Sequence, residues 1–188
     1  MAKGSYNAEP VSLDFMNSDW DDYRGSGQHE DRLRNPAWLK DFLKRWKFEN
    51  AGTPPKSTLA ALTALRDLLW HIAETLAKGR TPAAKEIARL NQFMAASVAR
   101  RQLVSRQGKF QLELLAPKKD WTWMTAEIAA DFAKLLARGE PHRIKICENR
   151  DCRWVFYDTS KSQSRRWCAD VCSVLMRVRR HRERRSDR

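Results

Sequence analysis

No cysteine occurs before residue 147 of this 188-residue chain, which also holds only seven glycines, seven prolines and four histidines. So little glycine and proline excludes collagen-like and low-complexity chains, and 42% hydrophobic residues exclude a wholly disordered one. No apolar run approaches the roughly 20 residues that a membrane-spanning helix needs. The opening Met1–Tyr6 lacks the apolar stretch of a secretory signal, so the expectation is a cytoplasmic protein with no membrane partner. A glycine-rich phosphate loop, Gly-x-Ser-x-Gly and His-Glu-x-x-His are all missing, and the histidines are scattered at 29, 71, 142 and 181. The chain therefore reads as a non-enzyme.

Acidic residues are also in short supply, 23 against 36 Lys and Arg, for a net charge of +13. The excess is uneven. Residues 143–188 carry 14 basic and six acidic side chains, a net of +8, while the other 142 residues carry a net of only +5. A field of this kind draws polyanions, nucleic acid before an anionic membrane. The anion-seeking part is the C-terminal quarter.

Residues 11–17 alternate weakly and predict a short strand, followed by a polar loop from Ser18 to Arg34. Its Asp19, Asp21 and Asp22 read as solvated rather than as cation ligands. Asn35-Pro36 opens a helix carrying Trp38, Leu39, Phe42, Leu43 and Trp46 to about Phe48. After Thr53-Pro54-Pro55, Leu59, Leu62, Leu65, Leu69, Ile72 and Leu76 form a helical stripe that Gly79 stops. Thr81-Pro82 starts another helix with Ile87, Leu90, Phe93, Met94 and Val98, predicted to form an αα-hairpin with its predecessor. His71 reads as a core-edge residue beside the stripe.

From Leu103 the period changes to two. Arg106-Gln107-Gly108-Lys109 reads as the turn of a β-hairpin whose second strand carries Phe110, Leu112 and Leu114. Asp120 or Thr122 caps a further helix with Ile128, Phe132, Leu135 and Leu136. Gly139-Glu140-Pro141 then punctuates the chain where the charge density jumps. The expected organisation is α+β: a mostly helical domain over 1–141 with a short β-hairpin, and a second module over 142–188. Six of the eight tryptophans, at 20, 38, 46, 70, 121 and 123, precede residue 142. They line a pocket for a small-molecule effector or simply pack the core, and packing is the preferred reading.

The second module contains Cys147-x4-Cys152-x15-Cys168-x3-Cys172. Two close pairs of thiols separated by a longer loop are the ligand pattern of a structural zinc site, and four protein ligands leave no open position for catalysis. At i, i+4, Cys168 and Cys172 are expected to project from one face of a helix. So short a module has too little core to fold alone, and a metal makes up the deficit. Behind Cys172, Arg177, Arg179, Arg180, Arg182, Arg184 and Arg185 crowd one helix, with Arg165 and Arg166 just upstream. Val171, Leu175 and Val178 are expected to pack that helix on the metal module. Guanidinium forks match phosphate oxygens, so double-stranded DNA is the expected partner.

Cys147-x4-Cys152, Phe156-x-Asp158-x-Ser160 and Arg165-Arg166-Trp167-Cys168 resemble the CGNR zinc finger of bacterial proteins. Leu13-Asp14-Phe15-Met16-Asn17-Ser18, Trp38-Leu39 and Leu65-Arg66 resemble the stress-induced transcription regulator domain that accompanies this finger. The resemblance implies a treble-clef-like zinc finger ending in a basic helix, with the four cysteines as ligands, and a DNA-binding regulator. The first domain would sense an effector or form a homodimer. The chain departs from the pattern after its last cysteine: Ser173-Val174-Leu175 stands where the family has Gly-Asn-Arg, and three rather than four residues separate Cys168 from Cys172. The role of Gly-Asn-Arg therefore does not carry over. The alternative is a zinc-stabilised module that binds a protein partner or RNA.

Overall fold

The computed structural model describes residues 10–48, 53–98, 100–115, 118–138 and 140–186. Met1–Tyr6 and Gly139 of the expected boundary lie outside the described residues, as do the side chains of Leu112 and Leu114. Residues 11–17 depart from expectation: they form helix α1 (Val11–Met16), not a strand. The apparent alternation is misleading because Ser12, Leu13, Phe15 and Met16 are all buried. Helix α1 lies against α5 (Trp121–Ala137), whose Asp131 carboxylate accepts from the Ser12 backbone N–H (3.0 Å) and hydroxyl (2.7 Å). A first-turn amide that no helix carbonyl can satisfy is thereby paired.

The predicted polar loop is a hairpin, β1 (Asp19–Asp21) against β2 (His29–Asp31), antiparallel. A 3-10 turn over Arg32–Arg34 leads to α2 (Pro36–Arg45), where the Asn35 side chain accepts from the Ala37 and Trp38 amides. That is the cap read from the sequence. Helix α3 (Lys56–Ala77) buries Leu62, Leu65, Leu69 and Ile72 and ends at Gly79, whose φ of 68° suits a residue without Cβ. Helix α4 (Ala84–Ala95) touches both α3 and α5. His71 is exposed rather than at the core edge and reaches Glu86 across the helix pair at 2.9 Å.

Strands β3 (Arg100–Arg106) and β4 (Lys109–Leu115) pair in the register that the two-residue turn dictates. Gln107 and Gly108 both have positive φ, 52° and 75°, as a type I′ turn requires. Asp120 caps α5 by accepting from the Trp123 amide. Helix α5 is the centre of the core, burying Trp121, Met124, Ile128, Phe132 and Leu135.

After a 3-10 turn at Pro141–Arg143 come β5 (Ile144–Ile146) and β6 (Val155–Tyr157), paired antiparallel, and finally α6 (Asp170–Ser186). Ile144 and Val155 are fully buried in the same core as α3 and α5. Asn17 reaches across the chain to seal this junction, donating to the Val155 carbonyl at 2.9 Å and accepting from its amide at 2.8 Å. All of these groups are buried, so the loss of either bond strands a polar atom. Asn17→Ala should cost about 2–4 kcal/mol and lower Tm by roughly 5–12 °C in a thermal melt. An unchanged Tm would mean that β6 does not depend on this clasp.

Candidate metal centre and its arginine helix

Cys147 follows β5, Cys152 closes the tight turn before β6, and Cys172 sits in the first turn of α6. Cys168 lies two residues ahead of α6, so the second pair is not on one helix face as expected; chain and helix meet at the site instead. The four sulfurs lie within 4.8 Å of one another, with Cys152–Cys168 at 3.6 Å and Cys168–Cys172 at 3.8 Å. Zn–S bonds of 2.3 Å in a tetrahedron set sulfurs about 3.8 Å apart. These distances are far too long for disulfides. A two-strand knuckle followed by a ligand-bearing helix is a treble-clef-like arrangement, and among the described residues the thiols are the one such group of metal-ligating side chains.

The thiols are ill suited to one another without a cation. Hydrogen bonds from Cys152, then Cys168 and Cys172, pull the Cys147 thiol far below the ordinary cysteine value. The same interaction with Cys147 pushes Cys152 and Cys168 well above it. A divalent soft ion lets all four ionise together.

Supporting bonds hold the knuckle in shape. The Cys147 amide donates to the Trp154 carbonyl, the Cys152 amide to the Asn149 carbonyl, and the Glu148 amide to the Arg166 carbonyl. Fully buried Asn149 donates to the Tyr23 carbonyl (2.8 Å) and to the Cys172 sulfur (3.7 Å), tying the β1–β2 loop to a thiol. Gly25 in that loop is required by crowding: a Cβ there would meet the Asp151 carboxylate at 2.8 Å and the Arg179 guanidinium at 2.9 Å. The contacts of the β1–β2 loop with Asn149, Asp151 and Arg179 carry no local sequence signal, because the partners lie more than 120 residues apart.

The Phe156-x-Asp158-x-Ser160 motif has a structural explanation. Buried Asp158 accepts from the Ser160 amide (2.9 Å) and hydroxyl (2.6 Å), Lys145 Nζ (2.9 Å) and the Arg165 amide (2.9 Å). Burial alone would raise its pKa, but the Ser160 and Lys145 hydrogen bonds outweigh that and hold it well below the usual carboxylate value. The carboxylate thus fixes the loop that delivers Cys168.

The eight arginines singled out from the sequence divide into groups. Arg165 donates to the Trp167 and Cys168 carbonyls and covers the Phe156 ring. Arg179 binds Asp151 and the Arg24 carbonyl. These two guanidiniums hold the fold together. Arg166 pairs with Glu148 on the surface, and Arg180 reaches the Met176 carbonyl and lies 5.9 Å from the Trp167 ring. Arg177, Arg182, Arg184 and Arg185 are exposed and, among the described residues, have no partner. The expected apolar packing face fails: Val171 and Val178 are exposed, because Cys172 and Arg179 turn the other side of α6 inward.

The tryptophans of the helical domain do not converge on one cavity. Trp38 stacks on Phe42, Trp46 donates to Asp14, Trp123 meets Phe48 edge-on, and Trp20 and Trp70 lie under Arg32 and Arg153. Trp121 is buried in the core. Arg153, in turn, joins the knuckle to the helical domain, since it also approaches Asp21.

A four-thiol treble-clef-like centre carried by a helical domain defines a zinc-finger protein. The model of the family described as "Putative stress-induced transcription regulator" (ABATE) matches residues 9–139, well over half of the chain. The chain belongs to this family, and the CGNR zinc finger model matches residues 143–185. No curated protein matches the chain. The families are regulatory and zinc-finger families, and zinc is the metal that the four-cysteine cluster and the finger family support. Among the described residues, no helix is long and apolar enough to cross a membrane.

Proposed function

We propose that the protein is a DNA-binding transcriptional regulator in which Cys147, Cys152, Cys168 and Cys172 hold a structural zinc ion and α6 contacts duplex DNA. Zinc supplies no reaction here; it draws four thiolates together and so fixes the helix that follows them. The observation that carries the reading is the group of guanidiniums without a partner among the described residues, Arg177, Arg182, Arg184 and Arg185, on a helix anchored at its start by the cysteine cluster. Arg166 and Arg180 stand at the rim of that surface, where a phosphate can replace a surface partner, whereas Arg165 and Arg179 serve the fold. The helical domain would sense an effector or pair with a second copy. The absence of catalytic motifs favours a regulator over an enzyme, and the thiols suit the reducing bacterial cytoplasm.

The test is binding of the zinc-loaded full chain to a labelled duplex across a series of salt concentrations. Four phosphate contacts give a log–log slope of about −3.6. A flat slope, or no binding, moves the assignment to a protein or RNA partner.

A further inference from the structure

The inward side of α6 is set by Cys172 at the metal centre and by Arg179 on Asp151. At about 100° per residue, Val174, Arg177 and His181 occupy the opposite side, and Val178 lies on the flank next to Val174. Val174 is 53% exposed and Val178 39%, and both line an open groove that Tyr23 and Arg24 of the β1–β2 loop border on one side. Two β-branched apolar side chains this exposed, in a helix otherwise crowded with arginine, contribute little to packing. Their neighbours are informative: Arg177 and Arg184 lie to one side of the valines and Arg182 to the other, all exposed and unpartnered among the described residues.

An apolar strip flanked by Arg177 and Arg184 on one side and by Arg182 on the other complements one common surface, the major groove of DNA. Its rims are phosphates, and its floor carries one apolar feature, the 5-methyl group of thymine. We propose that Val174 and Val178 contact thymine methyl groups in the major groove, with His181 beside them at base edges and Arg177, Arg182, Arg184 and Arg185 on the phosphates. This rests on the DNA-binding reading above and adds to it a source of base preference. Val174 belongs to the Ser173-Val174-Leu175 stretch directly after Cys172, and Val178 follows one turn later, so that preference belongs to this chain's own residues.

The chemical probe is a pair of 20-base-pair duplexes, alternating dA–dT and alternating dA–dU, which differ only in the 5-methyl groups. The zinc-loaded full chain should bind the thymine duplex roughly 4- to 15-fold more tightly, the range for burying one or two methyl groups. Both valines are exposed, so the V174S/V178S double variant should keep its fold, checked by circular dichroism, and its salt slope. It should bind the two duplexes equally. Equal binding by the unmodified protein with a steep salt slope overturns the methyl contact and leaves the phosphate contacts standing. A double variant that keeps the full thymine preference overturns it too, placing the contact elsewhere. Failure to bind either duplex overturns the DNA reading with it and leaves the valine strip to a protein partner.

Discussion

Removing zinc from the full chain will unfold more than the finger. Structural zinc contributes about 10–16 kcal/mol of apparent binding free energy in small finger peptides, as much as the whole stability of an ordinary domain, roughly 5–15 kcal/mol. The four thiols hold the knuckle and the start of α6, and the knuckle is not a separate body. Ile144 and Val155 belong to the core of α3 and α5, Asn149 joins Cys172 to the Tyr23 carbonyl, and Arg153 lies on Trp70. Chelation to completion, checked by metal analysis, should therefore abolish α6 helicity in the far-ultraviolet spectrum. It should also shift the fluorescence of tryptophans in the helical domain and lower Tm by well over 10 °C. C172S should reproduce all three changes. A metal-free chain with an intact spectrum would contradict the structural role of the site.

Replacing Arg177, Arg182, Arg184 and Arg185 together by Ala should leave Tm nearly unchanged and remove most DNA affinity. With a slope of about −3.6, the unmodified protein loses about 150-fold in affinity between 50 and 200 mM salt. The fourfold variant should lose only a small part of that, because its remaining attraction comes from Arg166, Arg180 and the diffuse positive field. Arg179→Ala is the internal contrast. It leaves Asp151 without its guanidinium and removes the bond to the Arg24 carbonyl, so it should lower Tm more than it changes the slope. If the fourfold variant binds as tightly as the original, the wrong face of α6 has been chosen.

What the sequence disclosed follows from the range of each interaction. The thiols were legible because ligand spacing is local and zinc imposes it. The Asn35 cap, the Gln107-Gly108 turn and the α3 stripe were legible for the same reason. Orientation was not. Val171, Leu175 and Val178 have a helical spacing that suits packing, yet Cys172 and Arg179 on a neighbouring face decide which side turns in. The Val11–Met16 segment looked like a strand because Ser12 and Asp14 alternate with Val11, Leu13 and Phe15, and only its burial on α5 selects the helix. The arginines were visible as charge, but the division between guanidiniums that hold carbonyls and guanidiniums that face solvent depends on Asp151, Glu148 and Arg24, which pattern reading does not bring near them. Asn17 and Val155, 138 residues apart, carry no shared sequence signal at all.

The most direct measurement is selection of the zinc-loaded full chain from a pool of random duplex DNA at near-physiological salt. An outward face of valines and free arginines predicts recovery of duplexes sharing a short motif that contains thymine. Recovery no greater than without protein would contradict the DNA-binding claim, and retained DNA without any enriched motif would reduce α6 to a phosphate contact.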